Sequence, residues 1–263
     1  MRLHYQAEGQ GTPLIVLHGF LGSLDNFRTL SRRLSAKHTV YSVDLRNHGR
    51  SPHADVMNYA VMAEDILEFL NDRNLPRAAL LGHSMGGKVS MQLATSHPER
   101  VDKLIVVDIA PRDYPLAQVY ILEAMGRLDL SHVTSYGDID AALASDVHNV
   151  PLRRLVLKNI GHDPANGFNW KVDLPAITAN YEALTKNIEA RGKFTGPACF
   201  IRGGRSKYVQ DEDIPRIRVI FPNAEIVEIP QAGHWVHADA PENFLRAVNE
   251  FLDRPEPDLS RLD

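Results

Sequence analysis

The chain has 263 residues, 44% hydrophobic and 24% charged, with a formal net charge of −4. That length suits one large α/β domain, or a core carrying a modest insertion, and the mild acidity excludes the basic excess of a nucleic-acid binder. No apolar run approaches the ~18 residues that would span a bilayer, and the first residues lead into Gln, Glu and Gly rather than a signal-peptide core. A soluble, cytoplasmic protein is expected.

Short β-prone runs alternate with segments of helical period. Residues 13–18 (PLIVLH) form a continuous apolar run of the kind found in strands covered on both faces. Residues 23–37 have helical spacing through Phe27, Leu30 and Leu34, and 39–45 (TVYSVDL) form a second strand. Asn58 caps a helix through Tyr59, Met62, Ile66, Phe69 and Leu70. A third strand at 78–82 (AALLG) leads into a helix over 85–96 that Pro98 stops, and 103–108 (KLIVVD) is a fourth strand. Strands at 198–202 and 225–229 and a helix over 241–252 complete the pattern. The alternation predicts α/β architecture, a mostly parallel sheet with helices on both faces.

Residues 113–195 break the alternation. They show helical patterns at 116–128, 138–147 and 175–191 and no clear buried strand. The expected division is a core over 1–112 and 196–263 with a helical cap over 113–195 between them. The polar tail from Arg254 (RPEPDLSRLD) is expected to fray. The single cysteine, Cys199, lies in an apolar run and reads as a buried core residue.

Gly82-His83-Ser84-Met85-Gly86 fits G-x-S-x-G between a strand and a helix. Such a turn lifts one side chain clear of the sheet, and small residues two before and two after leave room for it. The helix N-terminus then aims free N–H groups beside Ser84 Oγ, where an anion would develop. Ser84 is therefore the candidate nucleophile. A serine hydroxyl needs a base, and His234, in QAGHWVH after the last strand, is the best of 12 histidines. His237 is a weaker candidate, at the start of the last helix. At the exit of the first buried strand, His18-Gly19-Phe20-Leu21-Gly22 presents backbone N–H groups to the same anion. Phe20, with Met85, is the expected oxyanion donor and Leu21 the alternative. His18 is expected to brace the turn rather than act as a base.

HGFLGS, DLRNHGRS, GHSMGGK, VVDIAP and AGHWVHAD, in that order, resemble the α/β-hydrolase fold family, in particular its small YbfF-type bacterial esterases. The resemblance covers 12–111 and 196–252 and thins across the insertion. It implies a Ser–His–acid triad, an oxyanion hole and a helical cap over the site. It also implies that Asp44, Arg46, His48 and Ser51 belong to a structural loop bracing the entrance. Relatives of this kind carry an aspartate just past the glycines of FIRGGRSKYV (200–209), where this chain has Arg205 and Ser206. Asp108 is the expected acid instead. It closes KLIVVD, whose strand follows Ser84 by one helix and should lie beside the serine's strand, and a buried aspartate needs a partner. Asp211 and Asp213 sit in a charged stretch expected to be solvated, and Asp239 is expected to cap the last helix.

The resulting expectation is a serine hydrolase of carboxylic esters or thioesters, working through an acyl-enzyme without metal or organic cofactor. Its partner would be a small acyl ester or thioester of short to medium chain. Leu21, His83 and Trp235 are the candidate substrate contacts. Tyr114, Tyr120, Leu122, Met125, Phe168, Trp170 and Tyr181 are candidates for an acyl pocket, at least half of them expected only to pack the cap. A lyase of the menaquinone-pathway type is the alternative enzyme, weakened because Lys88 stands where such lyases carry an arginine. A degenerate, ligand-binding hydrolase is the non-enzymatic alternative, against which the intact Ser84 and His234 argue.

Overall fold

Uninterrupted Val, Ile and Leu runs become the inner strands, because a parallel strand covered on both faces meets no water. The computed structural model describes residues 1–165 and 167–255. In chain order it contains β1 (Tyr5–Glu8), β2 (Thr12–Leu17), α1 (Arg28–Leu34), β3 (His38–Val43), α2 (Tyr59–Asp72), β4 (Ala78–His83), α3 (Met85–Ser96) and β5 (Val101–Val107). The insertion follows, with α4 (Val119–Arg127), α5 (Tyr136–Ala144), α6 (Val150–Lys158), β6 (Ile160–Asp163), β7 (Gly167–Trp170) and α7 (Leu174–Thr185). The chain then returns through β8 (Ala198–Gly203), α8 (Ile214–Ile220), β9 (Ala224–Ile229), the short α9 (Val236–Asp239) and α10 (Pro241–Leu252).

The main sheet has the order β1-β3-β2-β4-β5-β8-β9, with β1 antiparallel to β3 and the other pairs parallel. This is the expected α/β class. After β2 the chain moves outward to β3, then crosses back to place β4 on the other side of β2. The order reverses between β2 and β4, and at such a reversal the loops leaving the strands part to form a crevice. The motifs HGFLG and GHSMG leave those two strands.

Each face of the sheet is covered by helices. On one, Met62, Ile66, Phe69 and Leu70 of α2 pack with Val89 and Leu93 of α3. On the other, Phe244, Val248 and Phe251 of α10 pack with Leu30 and Leu34 of α1. Each such side chain contributes about 1.5–3 kcal/mol when fully buried. Asn58 caps α2 as expected, its side chain accepting from the Val61 N–H. Cys199 is buried in β8.

The structure departs from the sequence pattern at three elements. β1 was not expected: it is a four-residue edge strand, YQAE, with no apolar run to announce it. The insertion contains a two-stranded antiparallel sheet, β6–β7, although no strand was expected there. Its strands IGHD and GFNW are too short and too polar to show a period. α6 was missed because Pro151 lies in its first turn, where a proline is tolerated since the first N–H groups lack intrahelical acceptors. The expected fraying of the tail falls mostly on 256–263, outside the described residues. No helix among the described residues is long and apolar enough to cross a membrane.

Candidate active site

Ser84 sits between β4 and α3 at φ 50 and ψ −114, a backbone conformation rarely tolerated with a side chain. The glycines around it make the turn possible. A Cβ on Gly82 would lie 2.2 Å from the Gly86 carbonyl oxygen, and one on Gly86 would lie 2.5 Å from that of Leu17. No other residue fits either place. The turn is held by Ser84 N–H on the Val107 carbonyl (2.9 Å) and Gly86 N–H on the His18 carbonyl (3.1 Å).

Ser84 Oγ lies 3.2 Å from His234 Nε2, and His234 Nδ1 lies 2.7 Å from Asp108 Oδ2. The carboxylate fixes the tautomer: Nδ1–H donates to Asp108, leaving Nε2 to accept from the serine hydroxyl. Asp108 is fully buried at the end of β5, at φ 51. Its Oδ1 accepts from the Gly203 N–H (3.0 Å), and its Oδ2 accepts also from Ser206 Oγ. Asp211 and Asp213 do not join this group. Asp211 pairs with Arg202 at 2.7 Å. Asp213 is buried against Arg112 (2.9 Å) rather than solvated as expected, and it closes its own turn on the Gln210 N–H.

Three residues that hold the imidazole were not singled out for it in the sequence. Tyr208 stacks on the His234 ring with centroids 3.8 Å apart. His83 Nε2–H donates to the His234 carbonyl (3.0 Å). Asp239 accepts from the Gly233 N–H (2.7 Å), bracing the loop that carries His234. Asp239 therefore does not cap α10, whose N-terminal position is held by Ala240. No local pattern in the sequence signals any of these contacts. Burial, with the neighbouring His234 and His237, drives the His83 pKa well below its ordinary value. His237 lies in α9, stacked on Phe27 at 4.4 Å, away from Ser84.

The loop after β2 offers its donors selectively. The Leu21 N–H is spent on His48 Nε2 (3.3 Å), and the Gly22 N–H on the Gly19 carbonyl (2.9 Å). Among the described residues Phe20 N–H has no hydrogen-bond acceptor, and Met85 N–H lies in the first turn of α3, where no intrahelical acceptor exists. The DLRNHGRS loop supports this arrangement from below. His18 Nε2 accepts from the Leu45 N–H (3.0 Å), and Asp44 accepts from the N–H groups of Leu24 (2.7 Å) and Arg50 (3.0 Å). Arg46 pairs with Asp65 (2.6 Å), and Ser51 Oγ–H donates to the Asp44 carbonyl. Burial lowers the pKa of His18 to about 4 and, with His18 adding to it, that of His48 to about 3. Both rings are neutral acceptors.

Two chambers meet at Ser84, sharing Phe20 and Gln118. The first, of about 70 Å³, is lined by Tyr59, Met85, Lys88, Ile109, Tyr114, Tyr181, Leu184 and Tyr208. The second, of about 30 Å³, is lined by Leu21, His83, Ile121, Leu152, Leu155, Val156, His234 and Trp235. All three candidate substrate contacts thus line the second chamber. Of the expected acyl-pocket residues only Tyr114 and Tyr181 line a chamber at Ser84. Leu122 and Met125 are buried among the helices, Tyr120 is exposed, and Phe168 packs on Tyr136. Lys88 is buried, its Nζ donating to the carbonyls of Arg112 (2.9 Å) and Lys186, and burial lowers its pKa to about 7. Among the described residues no cluster of His, Cys, Asp or Glu is arranged to hold a metal ion.

A strained serine turn and a serine hydrogen-bonded to a histidine on a doubly wound sheet define a hydrolase class. A family model described as alpha/beta hydrolase fold matches residues 12–241, and the chain belongs to that family. Within it the chain is 34% identical to Esterase YbfF of Escherichia coli, over 94% of this chain and 96% of that protein. It is 35% identical to an sn-1-specific diacylglycerol lipase of Xenopus laevis, over 95% of this chain and 82% of the lipase. Among solved structures, a marine microorganism esterase superposes with a TM-score of 0.92 at 40% identity, covering 95% of this chain and 98% of the esterase.

Proposed function

We propose that the chain is a carboxylesterase-type serine hydrolase working through an acyl-enzyme. The observation that carries this reading is the hydrogen-bonded series Ser84–His234–Asp108, at 3.2 and 2.7 Å. Its relatives' names, esterase and lipase, support the ester as the bond attacked.

Ser84 Oγ attacks the acyl carbonyl as His234 Nε2 takes its proton. The oxyanion forms between the Phe20 and Met85 N–H groups, each such donor contributing about 3–4 kcal/mol in comparable enzymes. The imidazolium, held by Asp108 and stacked on Tyr208, returns the proton to the leaving oxygen or sulfur. Water, deprotonated by His234, then cleaves the acyl-enzyme. The leaving group must sit where His234 can protonate it, so the chamber lined by His234 and Trp235 takes the leaving group. The chamber lined by Tyr59, Tyr114 and Tyr181 takes the acyl chain, and its size favours short to medium chains. Residues 113–195 act as the cap that closes both chambers.

Incubation with a fluorophosphonate probe tests the nucleophile: the wild type should be labelled and Ser84→Ala should not. Full labelling of Ser84→Ala would overturn the assignment. A panel of p-nitrophenyl esters and acyl-CoA thioesters of graded length then reads the chain and leaving-group preference.

A further inference from the structure

Leu21 lies at φ 53, a conformation disfavoured for any residue with a Cβ, in the middle of the loop that presents Phe20. Two hydrogen bonds hold it there from opposite sides. Its N–H donates to His48 Nε2 (3.3 Å), on the sheet side, and its carbonyl accepts from Asn159 Nδ2 (2.7 Å), on the insertion side. The loop closes as one turn, Gly22 N–H on the Gly19 carbonyl, so Phe20 cannot keep its place if Leu21 relaxes.

Asn159 is built for this contact. It is 3% exposed, at the junction between α6 and β6. The same Nδ2 donates to the Leu155 carbonyl (2.9 Å), and since both acceptors are carbonyl oxygens the amide orientation is determined. Its main chain is tied at both ends, N–H to the Val156 carbonyl (2.9 Å) and carbonyl to the Lys171 N–H (2.7 Å). Its side chain therefore moves only with the α6–β6 corner of the insertion.

We propose that Asn159 is a positioning residue that couples docking of the insertion to the oxyanion loop. When the insertion is seated, Asn159 locks Leu21 and with it the Phe20 N–H. When it lifts, the loop loses one of its two restraints. This inference rests on the proposed function, because it gives the Phe20 N–H a catalytic task.

The test compares Asn159→Ala and Asn159→Leu with Asn180→Ala. Asn180, on α7, also ties the insertion to the core, donating to the Asp55 carbonyl (2.6 Å), but away from the loop. Each variant is checked for folding by thermal melting, then assayed with p-nitrophenyl butyrate. Binding of a trifluoromethyl ketone, whose adduct places an oxyanion between the two donors, is measured alongside. Both Asn159 variants should lose roughly 10- to 100-fold in kcat, with KM within about threefold, since a misplaced donor weakens only the transition state. Affinity for the ketone should fall by the same factor. Asn180→Ala should keep kcat within about threefold. If Asn159→Ala does not fold, Asn159→Leu, of similar size and without any donor, carries the comparison. Equal losses in Asn159→Ala and Asn180→Ala, or a loss confined to KM, would overturn the inference while leaving the hydrolase reading intact. A wild type without Ser84-dependent turnover would overturn both.

Discussion

Ser206 Oγ–H donates to the oxygen of Asp108, Oδ2, that also accepts the Nδ1–H of His234. The stretch FIRGGRSKYV lacks an aspartate, but it still binds the Asp108 carboxylate. Gly203 binds Asp108 Oδ1, Ser206 binds Oδ2, and Tyr208 stacks on the histidine. The carboxylate comes from β5 while the loop after β8 orients it. Asp108→Asn should therefore lose about 10⁴-fold in kcat, the scale seen when a triad carboxylate is replaced and the histidine tautomer is no longer fixed. Ser206→Ala should lose roughly tenfold or less, since Gly203 remains, and Asp211→Asn should change little. Steady-state kinetics on a simple ester, with circular dichroism as the folding check, decides it. An active Asp108→Asn beside an inactive Asp211→Asn would move the acid elsewhere.

His237 is the residue most easily mistaken for the base. Its Nδ1 is buried without a hydrogen-bond partner, and burial with the nearby His234 lowers its pKa to about 3. A buried, unpaired polar nitrogen costs about 1–3 kcal/mol, and its ring is stacked on Phe27. His237→Phe should keep turnover near the wild-type value and raise unfolding free energy by ~1 kcal/mol in urea titration at pH 7.5. His234→Gln should be folded and nearly inactive. Loss of turnover in His237→Phe would give His237 a task at the site that the geometry does not suggest.

The inner strands and the Ser84 turn were legible because each imposes a local demand on composition. A strand covered on both faces must be apolar throughout, and the Ser84 turn admits only glycine at 82 and 86. The pairing of Asp108 with His234 was legible for a related reason, a carboxylate at the end of an apolar run requiring a partner. The insertion was legible only in outline. Its strands gain their stability from pairing with each other, and four-residue strands such as GFNW leave no period. The bracing residues were not legible at all. Asn159, Asp239 and Tyr208 matter through contacts with residues 138, 6 and 26 positions away, which no local pattern encodes.

Lys88 gives the molecule an alkaline signature. Its ammonium is buried, faced by the rings of Tyr59 and Tyr114 and by the Arg112 and Lys186 carbonyls, with Arg112 and Asp113 the charged neighbours. Its pKa falls from 10.5 to about 7. Between those values the unfolded chain holds the proton and the folded chain does not, so unfolding takes up a proton and stability rises with pH. The full window is worth up to ~5 kcal/mol. Above about pH 10 the buried Tyr59 and Tyr114, whose pKa values burial raises, reverse the trend. Urea titrations at pH 7.5, 8.5 and 9.5 should show wild-type stability climbing relative to Lys88→Met, whose own stability falls over this range because the Cys199 thiol and the Met1 amine, both raised in the fold, lose their protons first in the unfolded chain. Parallel slopes would mean that Lys88 stays charged in the fold.

The buried histidines set the acid limit. His18, at about 4, His48 and His237, at about 3, and His83, well below its ordinary value, are all depressed chiefly by burial. Each is neutral in the folded chain and protonates near pH 6.5 once unfolded. Their stabilisation is complete above pH 6.5 and is lost as pH falls toward the folded-state values. Four such groups together remove on the order of 5–8 kcal/mol by pH 5, comparable with the whole stability of an ordinary domain. Carboxylates contribute mainly below about pH 4.5, near their ordinary range, so unfolding at higher pH is attributable to the imidazoles. Tryptophan fluorescence and far-UV circular dichroism should report a cooperative acid transition with a midpoint between about pH 4.5 and 5.5. His237→Phe removes one of the four groups and should move that midpoint downward. A wild-type urea midpoint that stays unchanged between pH 7 and pH 5 would mean that these rings are protonated in the native state, and the neutral-acceptor roles given to His18 and His48 at the oxyanion loop would fall with it.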